Sequence, residues 1–227
     1  MASFRALPPS LVKQASRARA LGHVEGPDAS RIHVPVSQSV VDCGVYCDGT
    51  RLPGKYTHAA ALNKVHEIEA EGRSAFVWIG LHEPDEHQMQ SVADVFGLHE
   101  LAVEDAVHAH QRPKLERYDK MLFLVLKTVT YVEHESITNA REIVETGEIM
   151  IFVGSDFVVT VRHGEHGGLA GVRKHLEASP DNLRLGPYSV MHAIADHVVD
   201  TYLDVTDLIE LYNTGEVAVD LTGWILK

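Results

Sequence analysis

Acidic residues form two groups whose types and spacing could bind a metal ion. Glu104 and Asp105 are adjacent in one predicted helix, and Asp196 and Asp200 lie four residues apart in another. Mg2+ is a hard cation that takes oxygen ligands, keeps several of its waters and usually uses one or two carboxylates. Weak and reversible binding of such an ion is the first chemistry that these residues suggest. For Glu104 the alternative is a salt bridge with Lys114 or Arg112.

The second group belongs to a longer polar stripe on its helix. The members recur at spacings of three and four residues, which places them on one helix surface: His192, Asp196, Asp200, Asp204 and Asp207. Neighbouring like charges on a helix repel by about 0.3 kcal/mol per pair, and a cation or a basic partner surface would offset this repulsion. The alternative is a solvated acidic face that dissolved salt screens.

Histidines offer a second kind of metal site. The chain has 15 of them, and the densest groups are His108 with His110 and His163 with His166. A metal-dependent hydrolase that uses His163, His166 and Asp196 is therefore an alternative function. The H-E-x-x-H helix of many zinc proteases is absent. Most histidines are expected at the surface.

Charge and motifs exclude several other classes of protein. The formal net charge is -12, which argues against nucleic-acid binding, since that requires Lys and Arg to neutralise phosphates. A negative surface suits a cationic partner such as a metal ion, an interaction module that docks a basic protein, or simple solubility. The sequence contains no Walker loop or dinucleotide fingerprint, and Ser155 is not in a Gly-x-Ser-x-Gly elbow.

Composition is that of an ordinary globular protein. The chain has 227 residues, of which 45% are hydrophobic and 23% charged. Cys43 and Cys47 would lie about 13 Å apart on one strand, too far for a disulfide, so they are predicted to be reduced core thiols. There is no run of about 18 apolar residues that could span a membrane, and no signal peptide is visible.

The elements that must position these residues alternate between strand and helix. Strands are predicted at residues 40–47, 75–81, 121–131, 142–152 and 157–161. Helices are predicted at 57–71, 84–96, 98–108, 167–178 and 188–210, with polar loops at 132–139 and 180–187. The short turn at Gly154-Ser155-Asp156 requires antiparallel neighbours. The predicted fold class is therefore α/β, with a mixed central β-sheet flanked by helices (α/β/α) and a long C-terminal helix.

Three motifs occur in an order that resembles the cytoplasmic domain of CorA-type magnesium and cobalt transporters. They are Trp78-Ile79-Gly80-Leu81 at the end of a strand, His99 to Asp105 in the pattern H-x-L-x-x-E-D, and Gln111 to Tyr118 in the pattern Q-R-P-K-x-E-x-Y. The similarity extends over most of the chain, from about Val40 to Asp207.

This resemblance implies a divalent-cation-sensing domain and not an enzyme. In that family the aspartate of the E-D pair helps to hold a regulatory ion, Mg2+ or Co2+, between neighbouring protomers. By position this residue is Asp105, with Glu104 beside it, and Asp196 and Asp200 match an acidic helix segment. The family's partner aspartate falls beyond the recognisable part of the stalk helix, so the site is expected to be incomplete in this chain.

The resemblance also implies an organisation of the whole chain. We expect a flexible basic arm at 1–30, a CorA-like cytoplasmic α/β domain with the start of the stalk helix at 31–210, and an atypical tail at 211–227. The family's two membrane helices and their Gly-Met-Asn motif do not occur in the sequence, so the pore is expected to be missing. The full-length protein is expected to be a homopentamer at the cytoplasmic face of the inner cell membrane, and this fragment a monomer or dimer without nucleic acid.

Overall fold

A computed structural model describes residues 35–132, 144–165 and 167–213, with side chains as far as residue 209. These residues all belong to the unit that spans Val34–Lys227. The predicted arm at 1–30 lies outside the described residues, as do most of the predicted loop at 132–139 and all but the first three residues of the predicted tail.

Within the described residues, seven strands form one sheet. They are β1 (Val40–Cys47), β2 (Thr50–Arg51), β3 (Ala75–His82), β4 (Lys114–Tyr118), β5 (Met121–Tyr131), β6 (Val144–Val153) and β7 (Phe157–His163). Their spatial order is β2-β1-β3-β7-β6-β5-β4. Strands β3 and β7 pair in parallel, while the other neighbours are antiparallel. The sheet is therefore mixed, as the sequence predicted.

Six α-helices in the described part of the chain cover the two faces of this sheet. They are α1 (His58–Ala70), α2 (Glu86–Phe96), α3 (Glu100–Val107), α4 (Ala170–Glu177), α5 (Pro180–Leu183) and α6 (Pro187–Asn213). Side chains of α1, α2 and α3 share one core with Ile79 of β3. The preceding residue, Trp78, points to the opposite face of the sheet and packs in a second core with α4, α5 and α6. Alternation along the strand thus produces the predicted α/β/α layers.

Local capping chemistry sets the helix boundaries. Thr57 caps α1, and its hydroxyl accepts a hydrogen bond from the Ala60 amide at 3.3 Å. Helix α2 begins after Asp85 rather than at Pro84, because the Asp85 carboxylate accepts from the Gln88 amide at 2.7 Å. The Gln88 side chain in turn accepts from the Asp85 amide at 3.0 Å, which completes a capping box. Gly97 ends α2 with a left-handed φ of 63°.

Several segments differ from the prediction. Lys114–Tyr118, which carries mixed charge and was not among the predicted strands, is the edge strand β4. The predicted loop at 180–187 contains α5, since a proline suits the first turn of a helix. Helix α4 begins at Ala170 and not at 167, and α6 continues to Asn213, past the predicted end at 210. The apolar, β-branched composition of strand β5 is typical of a central strand, but β5 lies next to the edge strand β4.

Two other predictions concern β1 and the membrane. Cys43 and Cys47 both lie on β1 as buried free thiols, which confirms their predicted state. Across the residues that the structure covers, none of the helices combines the length and apolarity that crossing a bilayer requires.

Candidate metal centre

Helix α3 presents the two adjacent carboxylates differently. It begins after His99, whose Nδ1 accepts a hydrogen bond from the Leu101 amide at 3.3 Å, and it packs its small apolar side chains into the core. This orientation leaves Glu104 exposed and Asp105 half-buried. Of the pair, Asp105 is therefore the carboxylate that the fold holds in a defined place.

Lys114 of β4 lies between two carboxylates. Its Nζ is 2.8 Å from Asp105 Oδ2 and 2.8 Å from Glu116 Oε2. Glu116 also accepts a hydrogen bond from the Tyr118 hydroxyl at 2.8 Å. The hydrogen bonds to Asp105 and then to Glu116 raise the pKa of the Lys114 ammonium. The alternative that paired Lys114 with Glu104 is wrong, because its partner on α3 is Asp105.

The predicted stripe on α6 faces away from the core. All five of its side chains are exposed: His192, Asp196, Asp200, Asp204 and Asp207. The opposite side of the helix buries Val190, Ile194 and Val198. Among the described residues, no cationic side chain forms an ion pair with Asp196 or Asp200. These carboxylates are available to a partner outside the chain.

One chain does not bring the four predicted ligands together. Glu104 and Asp105 belong to α3, which packs on one face of the sheet, whereas Asp196 and Asp200 belong to α6 on the other face. A site that uses both groups requires a second copy of the chain. The donor set of carboxylate oxygens suits Mg2+, but each group is only part of a coordination shell.

Sequence reasoning missed Glu148, a buried carboxylate of β6. Its side chain is 5% exposed and forms an ion pair with Lys127. It also accepts hydrogen bonds from the backbone amides of His110 at 2.6 Å and Gln111 at 3.1 Å. Glu148 thus fixes the loop that joins α3 to β4. The only signal in the sequence was the position of this acid directly before the apolar end of the strand, Ile149 to Val153.

A second group was also missed. His66, Glu69 and Asp156 offer ligand atoms that all lie within 4.8 Å of one another, and His66 Nε2 is 3.3 Å from Asp156 Oδ2. It is the only group of three such side chains among the described residues. Both His66 and Glu69 are exposed, and clusters of this kind are common on surfaces without an ion.

The histidine site of the hydrolase alternative is not assembled by the described residues. His163 donates from Nε2 to the carbonyl of Ala106 at 2.9 Å, on the α3 side of the sheet. Asp196 is exposed on α6 at the opposite face, and His166 lies outside the described residues. The two described members therefore cannot share one metal ion.

Comparison with protein families gives one match over most of the domain. The model of the family described as "CorA-like Mg2+ transporter protein" matches residues 73–212. The match includes α3, the Gln111–Tyr118 motif and nearly all of α6.

Individual relatives point in the same direction. The chain is 37% identical over 136 residues to YfjQ of Bacillus subtilis (strain 168), described provisionally as a metal ion transporter, with 60% of this chain and 40% of that protein covered. It is 44% identical over 57 residues to the cobalt/magnesium transport protein CorA of Thermotoga maritima, covering 24% of this chain and 16% of that protein. The chain thus matches less than half the length of each of these relatives.

One solved structure supports the fold alone. The full-length CmaX protein superposes with a TM-score of 0.55 at 16% identity, over 78% of this chain and 52% of that one.

Proposed function

Because the chain belongs to the CorA-like Mg2+ transporter protein family, we propose that it is the cytoplasmic, divalent-cation-sensing domain of a magnesium or cobalt transporter. The relatives are described as transporters of metal ions and not as enzymes, so the hydrolase alternative is set aside. We further propose that this domain regulates transport by binding a divalent cation. Mg2+, or another divalent cation such as Co2+, would be held by Glu104 and Asp105 of one copy with Asp196 and Asp200 of a neighbouring copy.

The observation that carries this proposal is the position of the Lys114 ammonium. It lies 2.8 Å from a carboxylate oxygen on each side, one from Asp105 and one from Glu116. A cation is therefore already stabilised at this place by the chain's own carboxylates. The Asp105 side chain is 23% exposed and that of Lys114 29%, so exchange of one cation for another needs no rearrangement of the core.

When a metal ion replaces the Lys114 ammonium at Asp105, each neighbouring residue has a separate role. Lys114 neutralises Asp105 when no metal is bound, and it keeps Glu116 as a partner when it leaves Asp105. Asp105 then turns an oxygen toward the neighbouring copy, and exposed Glu104 adds a second oxygen. A bound divalent cation supplies the positive charge that lets the facing carboxylates approach.

Ion binding of this kind would act as a population shift. When the acidic surfaces face each other without a cation, like charges repel and the copies separate or rearrange. An ion that binds only the closed arrangement shifts the equilibrium by its difference in affinity for the two states. We propose a homopentamer for the full-length transporter, at the cytoplasmic face of the inner membrane, with residues 31–210 forming the sensing domain.

Sedimentation velocity of the purified chain during a millimolar Mg2+ titration tests this proposal. We expect Mg2+ to promote self-association, while K+ at matched ionic strength does not. Asp105→Asn and Asp200→Asn should each require about tenfold more Mg2+, which is the loss expected for a charged ligand. Glu100→Gln removes an exposed carboxylate from the same helix α3 and should leave the titration unchanged.

The rival function is an acidic interaction module without an ion role. In that case neither Asp105→Asn nor Asp200→Asn changes the Mg2+ titration, and association depends only on ionic strength. An equal effect of Glu100→Gln would also contradict the proposal, because it would reflect general charge and not a site.

A further inference from the structure

A cavity of about 300 Å3 opens on the sheet face that α4, α5 and α6 cover. Its walls come from β1, β3 and β7 and from α4 with the residues that precede it. The cations that line it are Arg162, Arg173 and Lys174, and the carboxylates are Asp42 and Glu177. This volume is at the lower end of the range for small-molecule sites. None of the four candidate metal ligands lines it.

Arg173 is a fixed part of the cavity wall. The residue is 8% exposed, and its guanidinium stacks over the Trp78 ring at 3.8 Å from the centroid. It donates to the Tyr46 hydroxyl at 2.9 Å, and its Nε lies 3.2 Å from Asp42 Oδ2. These contacts hold one positive charge in place beside the cavity.

The two carboxylates of the cavity already have cationic partners. Asp42 accepts two hydrogen bonds from Arg51, at 2.7 and 2.9 Å. Glu177 accepts from Arg51 at 3.0 Å and from the Tyr46 hydroxyl at 2.7 Å. Their negative charge is therefore engaged by Arg51 and Arg173, and it is not available to the other cations that line the cavity.

Arg162 is the exception among these charges. Its side chain is partly buried, yet it forms no hydrogen bond or ion pair with any residue in the described part of the chain. Burial lowers the pKa of its guanidinium, and no neighbouring charge opposes this shift. A desolvated charge without a counter-ion is costly. Lys174 also has no ion-pair partner among the described residues, so both cations are free to meet an anion.

The start of α4 adds backbone donors at the same place. Gly168, Leu169 and Ala170 line the cavity, and the capping residue Leu169 offers no side-chain acceptor to the first amides. The first-turn N–H groups have no partner within the helix. A Cβ atom added at Gly168 or Gly171 would meet no atom within 4 Å. There is therefore room for further atoms beside the backbone at Gly168 and Gly171.

We propose that this cavity binds a small phosphate-bearing anion, with Arg162 and Lys174 as its charged ligands. A guanidinium fork, an ammonium group and backbone amides together offer more donors than the two oxygens of a carboxylate can accept. The three terminal oxygens of a phosphate monoester match them better. Because the whole chain carries a formal charge of -12, the long-range field opposes anions, so binding is weak and falls as salt increases.

Isothermal titration of the purified chain with inorganic phosphate and with pyrophosphate, at fixed ionic strength, tests the proposal, with acetate as the comparison anion. We expect saturable binding of the phosphate probes and weaker binding of acetate. Arg162→Met keeps an unbranched side chain but removes the charged guanidinium and should weaken phosphate binding about tenfold or more, as should Lys174→Met. Arg184→Met removes an exposed arginine that pairs with Asp181, and it should leave the affinity unchanged.

Stability provides a second readout. In the absence of phosphate, Arg162→Met should not lower the free energy of unfolding, because the guanidinium has no partner to lose among the residues that the structure describes. Gly168→Asp places a carboxylate in open space at the cavity and should abolish phosphate binding while the fold is kept. The proposal is overturned if no phosphate probe binds saturably, if acetate binds as tightly as phosphate, or if Arg184→Met weakens binding as much as Arg162→Met.

Discussion

Two carboxylate–lysine pairs contact the connection between α3 and β4 or the elements that it joins, and they differ in burial and in the number of partners. Asp105 has a side chain that is 23% exposed and pairs with Lys114, which it shares with Glu116. Glu148 has a side chain that is 5% exposed and pairs with Lys127. It also accepts hydrogen bonds from the amides of His110 and Gln111.

This difference separates a structural carboxylate from an exchangeable one. A buried carboxylate whose oxygens are filled by amides cannot bind a new cation without releasing the loop. A half-exposed carboxylate that holds one shared lysine can exchange it at little cost to the fold. Contact between an acid and a base does not by itself distinguish the two roles. They are distinguished by the burial of the carboxylate and by the number of its lone pairs that accept hydrogen bonds.

The largest effect on stability is expected at the buried pair of Glu148 and Lys127. Glu148→Gln removes the counter-ion of Lys127 and replaces an acceptor with an amide group that cannot satisfy both backbone donors. We expect the free energy of unfolding to fall by about 3 kcal/mol, as for other broken buried pairs. Urea denaturation followed by circular dichroism measures this loss. A loss as small as that of an exposed pair would show that the comparison is wrong.

A double-mutant cycle sharpens the comparison. Lys127→Met in the Glu148→Gln background removes the charge that was left unpaired, so the double variant should regain part of the lost stability. We expect a coupling free energy of about 1.5 kcal/mol for this pair and below about 0.5 kcal/mol for Asp105 with Lys114. Equal coupling in the two cycles, measured by urea denaturation, would contradict the proposed difference.

A smaller effect is expected from Asp105→Asn alone. Because the pair is partly exposed to water, its loss should change the free energy of unfolding by about 0.5 kcal/mol. The same substitution should weaken the Mg2+ response by about tenfold. Denaturation and sedimentation of one variant thus measure stability and ion response separately. A large loss of stability would show that Asp105, like Glu148, has a structural role.

The smallest effect concerns pH. Hydrogen bonds from Lys114 and then from Tyr118 lower the pKa of Glu116 below its ordinary value of 4.5. The folded state therefore binds this proton less readily than the unfolded state does, and the contribution to stability is present above pH 4.5. It disappears as the pH falls through the lowered pKa. Because the Glu116 side chain is 40% exposed and water screens its ion pair, denaturation should show only a small difference in stability between the chain and Glu116→Gln at pH 7, and none at the acid end.

Local chemistry made much of the fold predictable. The Thr57 cap, the Gly97 helix end and the Gly154–Asp156 turn each act within a few residues, so the sequence contains the whole signal. Strand β4 was not predictable in this way. Its apolar residue Leu115 is 61% exposed, while the charged residues Lys114 and Glu116 are partly buried and Lys114 pairs with Asp105 of α3. The hydrophobic pattern of this edge strand is therefore reversed.

The candidate site was predictable only in part. The adjacent Glu104 and Asp105 could be found because they lie in a recognisable motif. Glu148 could not, since its partners come from a loop far away in the sequence. The lack of an ion-pair partner for Arg162 among the described residues is likewise a property of the folded chain, because residue types alone do not show which charges meet.

The central claim is that divalent cations bind the exchangeable carboxylates and not the buried one. The most direct measurement is the residue-by-residue broadening of amide NMR signals by substoichiometric Mn2+, a paramagnetic substitute for Mg2+, in the 15N-labelled chain. We predict that signals near Asp105 and near Asp196 and Asp200 broaden first, that excess Mg2+ restores them, and that Asp105→Asn abolishes the effect on α3. Broadening centred on the Glu148 strand, or none near Asp105, would contradict the account.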